Sequence, residues 1–178
     1  MRIISGKHKG RHLTAPKKLP VRPTTDMAKE GLFNILNNSY YFEDVKVLDL
    51  FTGTGNISFE FASRGATDIL AIDAHTGCVH YVDKVSKDLE MGIRILKSDV
   101  FSFLERNTER FNIIFADPFY DMPQEDFEKL PELVFKHNLL MEDGTLIIEH
   151  AKQMSLEHLP HFDRFRKYGG SVFSFFSV

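Results

Sequence analysis

Four aspartates sit at the ends of apolar, β-prone runs: Asp49 near the end of Val45–Leu50, Asp73 after Asp68–Ile72, Asp99 shortly after Ile93–Leu96, and Asp117 after Phe111–Ala116. In open α/β sheets the carboxyl edge of the strands is where ligands bind. Four carboxylates at successive strand ends therefore describe a site. Asp49 opens the turn Asp49-Leu50-Phe51-Thr52-Gly53-Thr54-Gly55, whose glycines let backbone approach a ligand closely. The turn is similar to a dinucleotide fingerprint but lacks the third glycine, because position 58 is Ser. A carboxylate ahead of the glycines repels pyrophosphate and suits an ammonium group. Asp73, 24 positions after Asp49, stands where an acid accepts hydrogen bonds from ribose hydroxyls. Asp99 stands where a side-chain oxygen can accept from an adenine amino group, cap the helix that starts at Val100, or do both. A ligand with an α-amino group, a ribose and an adenine but no phosphate is S-adenosylmethionine.

Asp117-Pro118-Phe119-Tyr120 calls for a different partner. An exocyclic base amine is a poor nucleophile, since its lone pair is delocalised into the ring. Acceptors on its N–H groups draw it toward a tetrahedral, more nucleophilic state. The Asp117 carboxylate and the Pro118 carbonyl are the candidate acceptors. Proline ends the strand and fixes the backbone there. Tyr120 offers a face on which an unstacked base can lie, a contact worth about 1–3 kcal/mol per base. Positioning for in-line attack supplies much of the rate, and no metal is required.

These groups need a scaffold. The pattern predicts strands at Val45–Leu50, Asp68–Ile72, Ile93–Leu96, Phe111–Ala116 and Gly144–Glu149. Between them it predicts helices at Asn56–Arg64, from Thr76 to about Glu90, Val100–Arg106, and Gln124–Lys136, the last broken or restarted at Pro131. A further helix after Asp26, taken as its N-cap, buries Leu32, Phe33 and Leu36. Phe162–Tyr168 and Ser171–Ser177 flank Gly169-Gly170 and read as an antiparallel hairpin. Alternating strands and helices give an α/β fold with a mainly parallel, doubly wound sheet, seven-stranded once the C-terminal β-hairpin is added. Residues 1–25 read as a basic N-terminal extension with a β-hairpin around Ser5–Gly10, and 26–178 as the catalytic domain.

Composition bounds the function. Hydrophobic residues make up 43% and charged residues 26%, the proportions of a globular domain. No apolar run reaches the roughly 20 residues of a membrane span. Met1–Gly6 has no signal-peptide core, so the expected location is cytoplasmic. The single cysteine, Cys78, is expected to be buried in its helix. No His, Cys or acid grouping has ligand spacing, so no metal site is expected. Residues 1–22 carry seven basic and no acidic side chains, whereas the other 15 basic residues face 25 acidic ones, −10 for the remainder. A basic arm on an acidic body fits a nucleic-acid partner.

The whole chain resembles the bacterial small-subunit ribosomal RNA guanine-N2 methyltransferases of the RsmD type. The resemblance rests on Arg2-Ile3-Ile4-Ser5-Gly6 with Lys9-Gly10-Arg11 and Leu13. It also rests on Arg22-Pro23-Thr24-Thr25-Asp26 with Glu30 and Leu32-Phe33-Asn34, on Ser63-Arg64-Gly65-Ala66, and on Ser102-Phe103-Leu104. It implies a Rossmann-like class I fold and transfer of methyl from S-adenosylmethionine to N2 of a guanine in 16S rRNA. It also implies a monomer acting on that RNA or on the small ribosomal subunit. By resemblance, Asp49, Phe51, Gly53, Gly55, Asp73 and Asp99 belong to the cofactor site, and Asp117, Pro118 and Tyr120 to catalysis. Arg22, Thr24 and Thr25 would lie beside the active site, and Lys7, Lys9 and Arg11 would meet RNA. Phe119 replaces a second proline usual in the family. Met27 and Lys29 stand where arginine is common, which implies weaker contact with RNA and unaltered chemistry. His75 replaces an acid, with surface exposure the plain expectation.

The residues leave rivals. The tetrapeptide serves adenine N6 as well as guanine N2, on DNA or RNA. A small-molecule methyltransferase fits the basic opening poorly. A relative that binds RNA but has lost catalysis is compatible with Phe119. A dinucleotide oxidoreductase fits worst, given Asp49 and Ser58.

Overall fold

The computed structural model describes residues 1–178. The apolar runs form β1 (Lys46–Leu50), β2 (Asp68–Asp73), β3 (Arg94–Lys97), β4 (Phe111–Ala116) and β5 (Leu140–Ala151), with β6 (Phe162–Tyr168) and β7 (Ser171–Ser177) after them. They make one sheet in the order β3-β2-β1-β4-β5-β7-β6. The first five strands are parallel, and β7 runs antiparallel between β5 and β6. Chain direction across the sheet reverses between β1 and β4, the switch point at which α/β folds bind ligands.

The helices are α1 (Asp26–Leu36), α2 (Asn56–Ser63), α3 (Thr76–Asp88), α4 (Val100–Arg106) and α5 (Gln124–Lys136). Alternate strand residues feed two cores. Val47, Ile69, Ala71, Ile113, Phe115, Ile147, Phe173 and Phe175 pack under α1, α2 and α3. Leu48, Leu50, Ile72, Ile114, Leu146, Ile148 and Phe176 pack under α4 and α5. This period of two puts both faces of a parallel sheet out of water, as helix crossovers require. The C-terminal phenylalanines are core residues, and Cys78 is buried in α3.

Several local expectations are corrected. Thr25, not Asp26, caps α1: its hydroxyl accepts from the Ala28 amide at 3.2 Å. Helix α5 runs unbroken through Pro131, which is buried on its inner face with Phe127, Leu130, Leu133 and Val134. Packing of that face outweighs the one hydrogen bond a proline removes. Strand β5 starts four residues before Gly144, because a register shift against β4 lets the chain resume pairing. A Cβ at Gly144 would stand 2.8 Å from the Met141 carbonyl oxygen.

The first residues lie along α2. Arg2 and His12 form an antiparallel bridge, and Ile3 is a core residue. Glu60 of α2 accepts from the Ile4 and Ser5 amides, and Ser63 at its C-terminal end binds the Lys7 and His8 amides. Gly6, with φ +85°, is pressed so close to the Ser63 carbonyl that no side chain fits there.

Candidate active site

The pleat gathers the acids. Asp49, Asp73 and Glu149 share the face of their strands that lies under α1, α2 and α3, and Asp117 follows Phe115 on that face. Ala116 pairs with Ile148, so Asp117 and Glu149 come level on neighbouring strands toward the carboxyl edge; Asp49 pairs with Phe115 and lies two residues deeper on the strand at Asp117's other side. Adjacent strands are only about 4.8 Å apart.

Asp49 is 2% exposed. Its Oδ2 accepts from the Thr52 hydroxyl at 2.7 Å and the Ser58 hydroxyl at 2.6 Å. Burial pushes its carboxyl from 3.8 up to about 6, against the opposing pull of the two hydroxyls. Ser58, which spoils the dinucleotide fingerprint, is thus a holder of the acid. The loop between them bends through positive φ at Phe51, Gly53 and Gly55. At Gly55, with φ +78°, a Cβ would also strike Phe59 at 2.8 Å, so only glycine starts α2 here.

Asp73 ties two loops together. One oxygen accepts from the Gly53 amide and the other from the His75 amide, both at 2.8 Å. Each carboxylate oxygen has a second lone pair for a ribose hydroxyl. His75 is exposed and also caps α3, its Nδ1 accepting from the Gly77 and Cys78 amides. Asp99 caps α4 through the Ser102 amide at 2.8 Å and remains exposed.

Asp117 is held where its charged form is least favoured. Burial, then the charges of Glu149 and Asp49, push its carboxyl well above the ordinary range. Phe119 and Tyr120 project outward at 58% and 83% exposure. Phe119 meets Phe51 edge-on at 6.4 Å, and Phe51 meets Phe101 in the same way. The residue that departs from proline therefore contributes to an aromatic rim around the acids.

The N-terminal segment crosses this edge. Val21 comes within 3.2 Å of where a Cβ would stand on Gly53, and Leu19 within 2.8 Å of the same point on Gly77. The Arg22 guanidinium bears on Glu149. Thr24 is buried, donates to Glu149 Oε2 at 2.7 Å and accepts from Asn56 through its carbonyl at 2.9 Å. Lys7, Lys9 and Arg11 are exposed at the far end of α2, about 12 Å of helix away from Gly55. The structure thus brings Arg22, Thr24 and Thr25 to the acidic edge and leaves the loop 7–11 at the opposite one.

Lys29 is corrected outright. It is fully buried, pairs with Glu60 at 3.2 Å, and donates to the Arg2 carbonyl and to Asn56 Oδ1. It has no surface for RNA. From the residues alone, Glu149-His150 reads as a strand end that lines the pocket or faces solvent; the structure buries Glu149 against Thr24, 125 positions away. Asn56 and Val21 were not assigned roles from the residues, because their partners lie 32 positions away.

A family model described as Conserved hypothetical protein 95 matches residues 1–177. The putative rRNA methyltransferase YlbH of Bacillus subtilis is 34% identical over 161 residues, covering 88% of this chain and 85% of that protein. The ribosomal RNA small subunit methyltransferase D of Escherichia coli K12 is 30% identical, covering 90% and 79%. Among solved structures, the putative methyltransferase yhhF from Escherichia coli superposes with a TM-score of 0.85 at 28% identity, over 99% of this chain and 96% of that one.

Proposed function

The chain belongs to the Conserved hypothetical protein 95 family of RsmD-type ribosomal RNA methyltransferases, and from that premise we propose that it methylates N2 of a guanine in 16S rRNA. The cofactor is S-adenosylmethionine, as in the class I methyltransferases whose fold it shares. The observation that carries the reading is the row Asp73, Asp49, Asp117 and Glu149 on one sheet edge, with the aromatic rim beside it.

The residues fit the two ligands in turn. Asp49 and the glycine loop suit the ammonium end of the cofactor, Asp73 its ribose, and Asp99 its adenine. Phe51 and Phe101 line the same rim. S-adenosylmethionine supplies an electrophilic methyl on a sulfonium. The Asp117 carboxylate and Pro118 carbonyl accept from the target amine and turn its lone pair toward that methyl. Tyr120 gives the flipped base a stacking face. Arg22 and Thr25, beside the acidic edge, suit contact with the nucleotide's backbone. Lys7, Lys9 and Arg11, at the other end of α2, suit phosphates further along the same RNA, and such contacts weaken steeply with salt.

Labelled S-adenosylmethionine is supplied with unmodified small subunits, naked 16S rRNA and duplex DNA, and the products are digested to nucleosides. N2-methylguanosine from an RNA substrate is expected. Label in N6-methyladenosine would transfer the reading to adenine, and guanosine unlabelled in every substrate would sink it. Asp117→Ala is expected to lose turnover while still binding cofactor.

A further inference from the structure

We propose that Glu149 is a positioning residue of this site: from the strand next to Asp117, and held by Thr24, it forms with Asp117 a neighbouring pair of carboxylates in which Asp117 takes the proton that leaves the target amine. The inference rests on the methyl-transfer reading above.

The geometry comes first. Asp117 and Glu149 each stand one position beyond the paired residues Ala116 and Ile148, on the same face of adjacent parallel strands. That sets the two residues on neighbouring chains whose backbones run about 4.8 Å apart, and the Glu149 charge is felt at Asp117. Glu149 is 7% exposed. A buried acid inside a strand needs a reason, because desolvation disfavours its charge.

The surroundings of Glu149 are built around its charge. The Thr24 hydroxyl donates to it at 2.7 Å. Thr24 is itself held by Asn56, and Asn56 by the buried Lys29. Arg22 on the overlying segment favours the ionised form, while Asp117 faces it from β4, with Asp49 beyond on β1. Burial still leaves the Glu149 carboxyl above the usual range, and the Glu149 charge adds to the upward push on Asp117. Two like charges this close raise each other's affinity for a proton.

The chemistry uses that effect. The amine nitrogen forms a bond to the methyl carbon while the carbon–sulfur bond breaks, and its electron pair returns to sulfur as a neutral thioether. The new methylammonium nitrogen sheds one proton, which passes to the Asp117 carboxylate and then to water. An isolated aspartate is a weak base for this step. One beside an ionised Glu149 is stronger, and its basicity lies nearer the working pH, as general-base catalysis favours.

Activity then requires the pair to be ionised and rises with pH through the pair's upper titration. Glu149→Gln keeps an oxygen for Thr24 and removes the charge. Asp117 alone titrates lower, so the acidic limb of the kcat profile is expected to move to lower pH. Plateau kcat should fall about tenfold, a fraction of the roughly 10²–10⁴ a general base contributes. Cofactor affinity should stay close to that of the parent, and melting temperature should not fall, since the variant removes a buried charge. A purely structural Glu149 would leave the limb in place, and a limb that stays or moves upward overturns the proposal. Thr24→Val gives an independent arm: losing the hydroxyl that favours ionised Glu149 should move the limb to higher pH, with Thr24→Ser restoring it. An unmoved limb in Thr24→Val also overturns the proposal. Parent enzyme that methylates guanosine with unmoved limbs in the variants refutes the pair alone. Parent enzyme that methylates no guanosine refutes the underlying reading.

Discussion

Replacing Asp49 by Asn should make the protein more stable and worse at binding its cofactor. Asp49 is buried, and its carboxyl is pushed from 3.8 to about 6 by desolvation. Between those values the folded protein holds a proton that the unfolded chain has lost. Stability therefore falls as pH rises through the window from 3.8 to about 6, and the loss is complete above it. A difference of about two units corresponds to roughly 3 kcal/mol at neutral pH. Asparagine keeps an oxygen for Thr52 and Ser58, so most of this should be recovered, less whatever the weaker, uncharged hydrogen bonds give up. A net gain of about 1–3 kcal/mol is expected, or roughly 2–4 °C in melting temperature per kcal/mol for a chain of this size. Urea denaturation of cofactor-free protein at pH 7 and pH 4 reads it directly. The gain should be present at pH 7 and largely gone at pH 4, where the parent carboxyl is neutral. Cofactor affinity should fall at least about tenfold, because a charge-assisted bond to the ammonium is lost. A stability difference between Asn and Asp that is the same at both pH values would refute the argument.

Lys29→Met should cost about 3 kcal/mol in urea denaturation, since it leaves Glu60 buried with one fewer partner. RNA affinity should not change, because Lys29 does not reach the surface; a drop in affinity greater than the loss of folded protein would contradict the burial. Tyr120→Ala should raise KM for RNA by the equivalent of about 1–3 kcal/mol with cofactor affinity unaltered, and an unmoved KM would remove Tyr120 from the substrate site. Gly31→Ala should destabilise the fold by about 1–3 kcal/mol, because a Cβ there would stand 2.3 Å from the Tyr168 ring and push α1 away from β6. Alanine is the better helix former by about 1 kcal/mol, so a stabilised variant would show that the ring gives way.

The fold was legible because each face of the sheet demanded its own alternation. Val47, Leu48 and Leu50, or Ile113, Ile114 and Phe115, read as buried strands wherever they occur, and the glycine turns between them mark where helices begin. The hairpin at Phe162–Ser177 announced itself through Gly169-Gly170, but nothing local says that β7 slots in beside β5 and leaves β6 at the edge. Pro131 misled because its cost is local while its compensation, the buried inner face of α5, is not. Asp26 misled for a smaller reason: Thr25 and Asp26 are both good caps, and only the entry angle of the chain chooses between them.

The acids at the strand ends were legible for the same reason as the strands, since a position after an apolar run is a position on the sheet edge. What sequence order hides is what each acid does with its other lone pairs. Asp73 and Asp99 hold loop and helix amides, and in Asp73 one oxygen shapes the very glycine turn that the cofactor is expected to meet. Lysine and glutamate are read by default as solvated, so Lys29 looked like an RNA contact and Glu149 like a strand end. Their meaning comes from a chain of partners, Glu60 to Lys29 to Asn56 to Thr24 to Glu149, that joins the α2 scaffold to the strand beside Asp117. Arginine at position 29 would have to fit a planar guanidinium into a pocket that now takes a compact ammonium. That pocket anchors Thr24, so the departure at Lys29 reaches the site through Thr24 and Glu149, and RNA contact has no part in it.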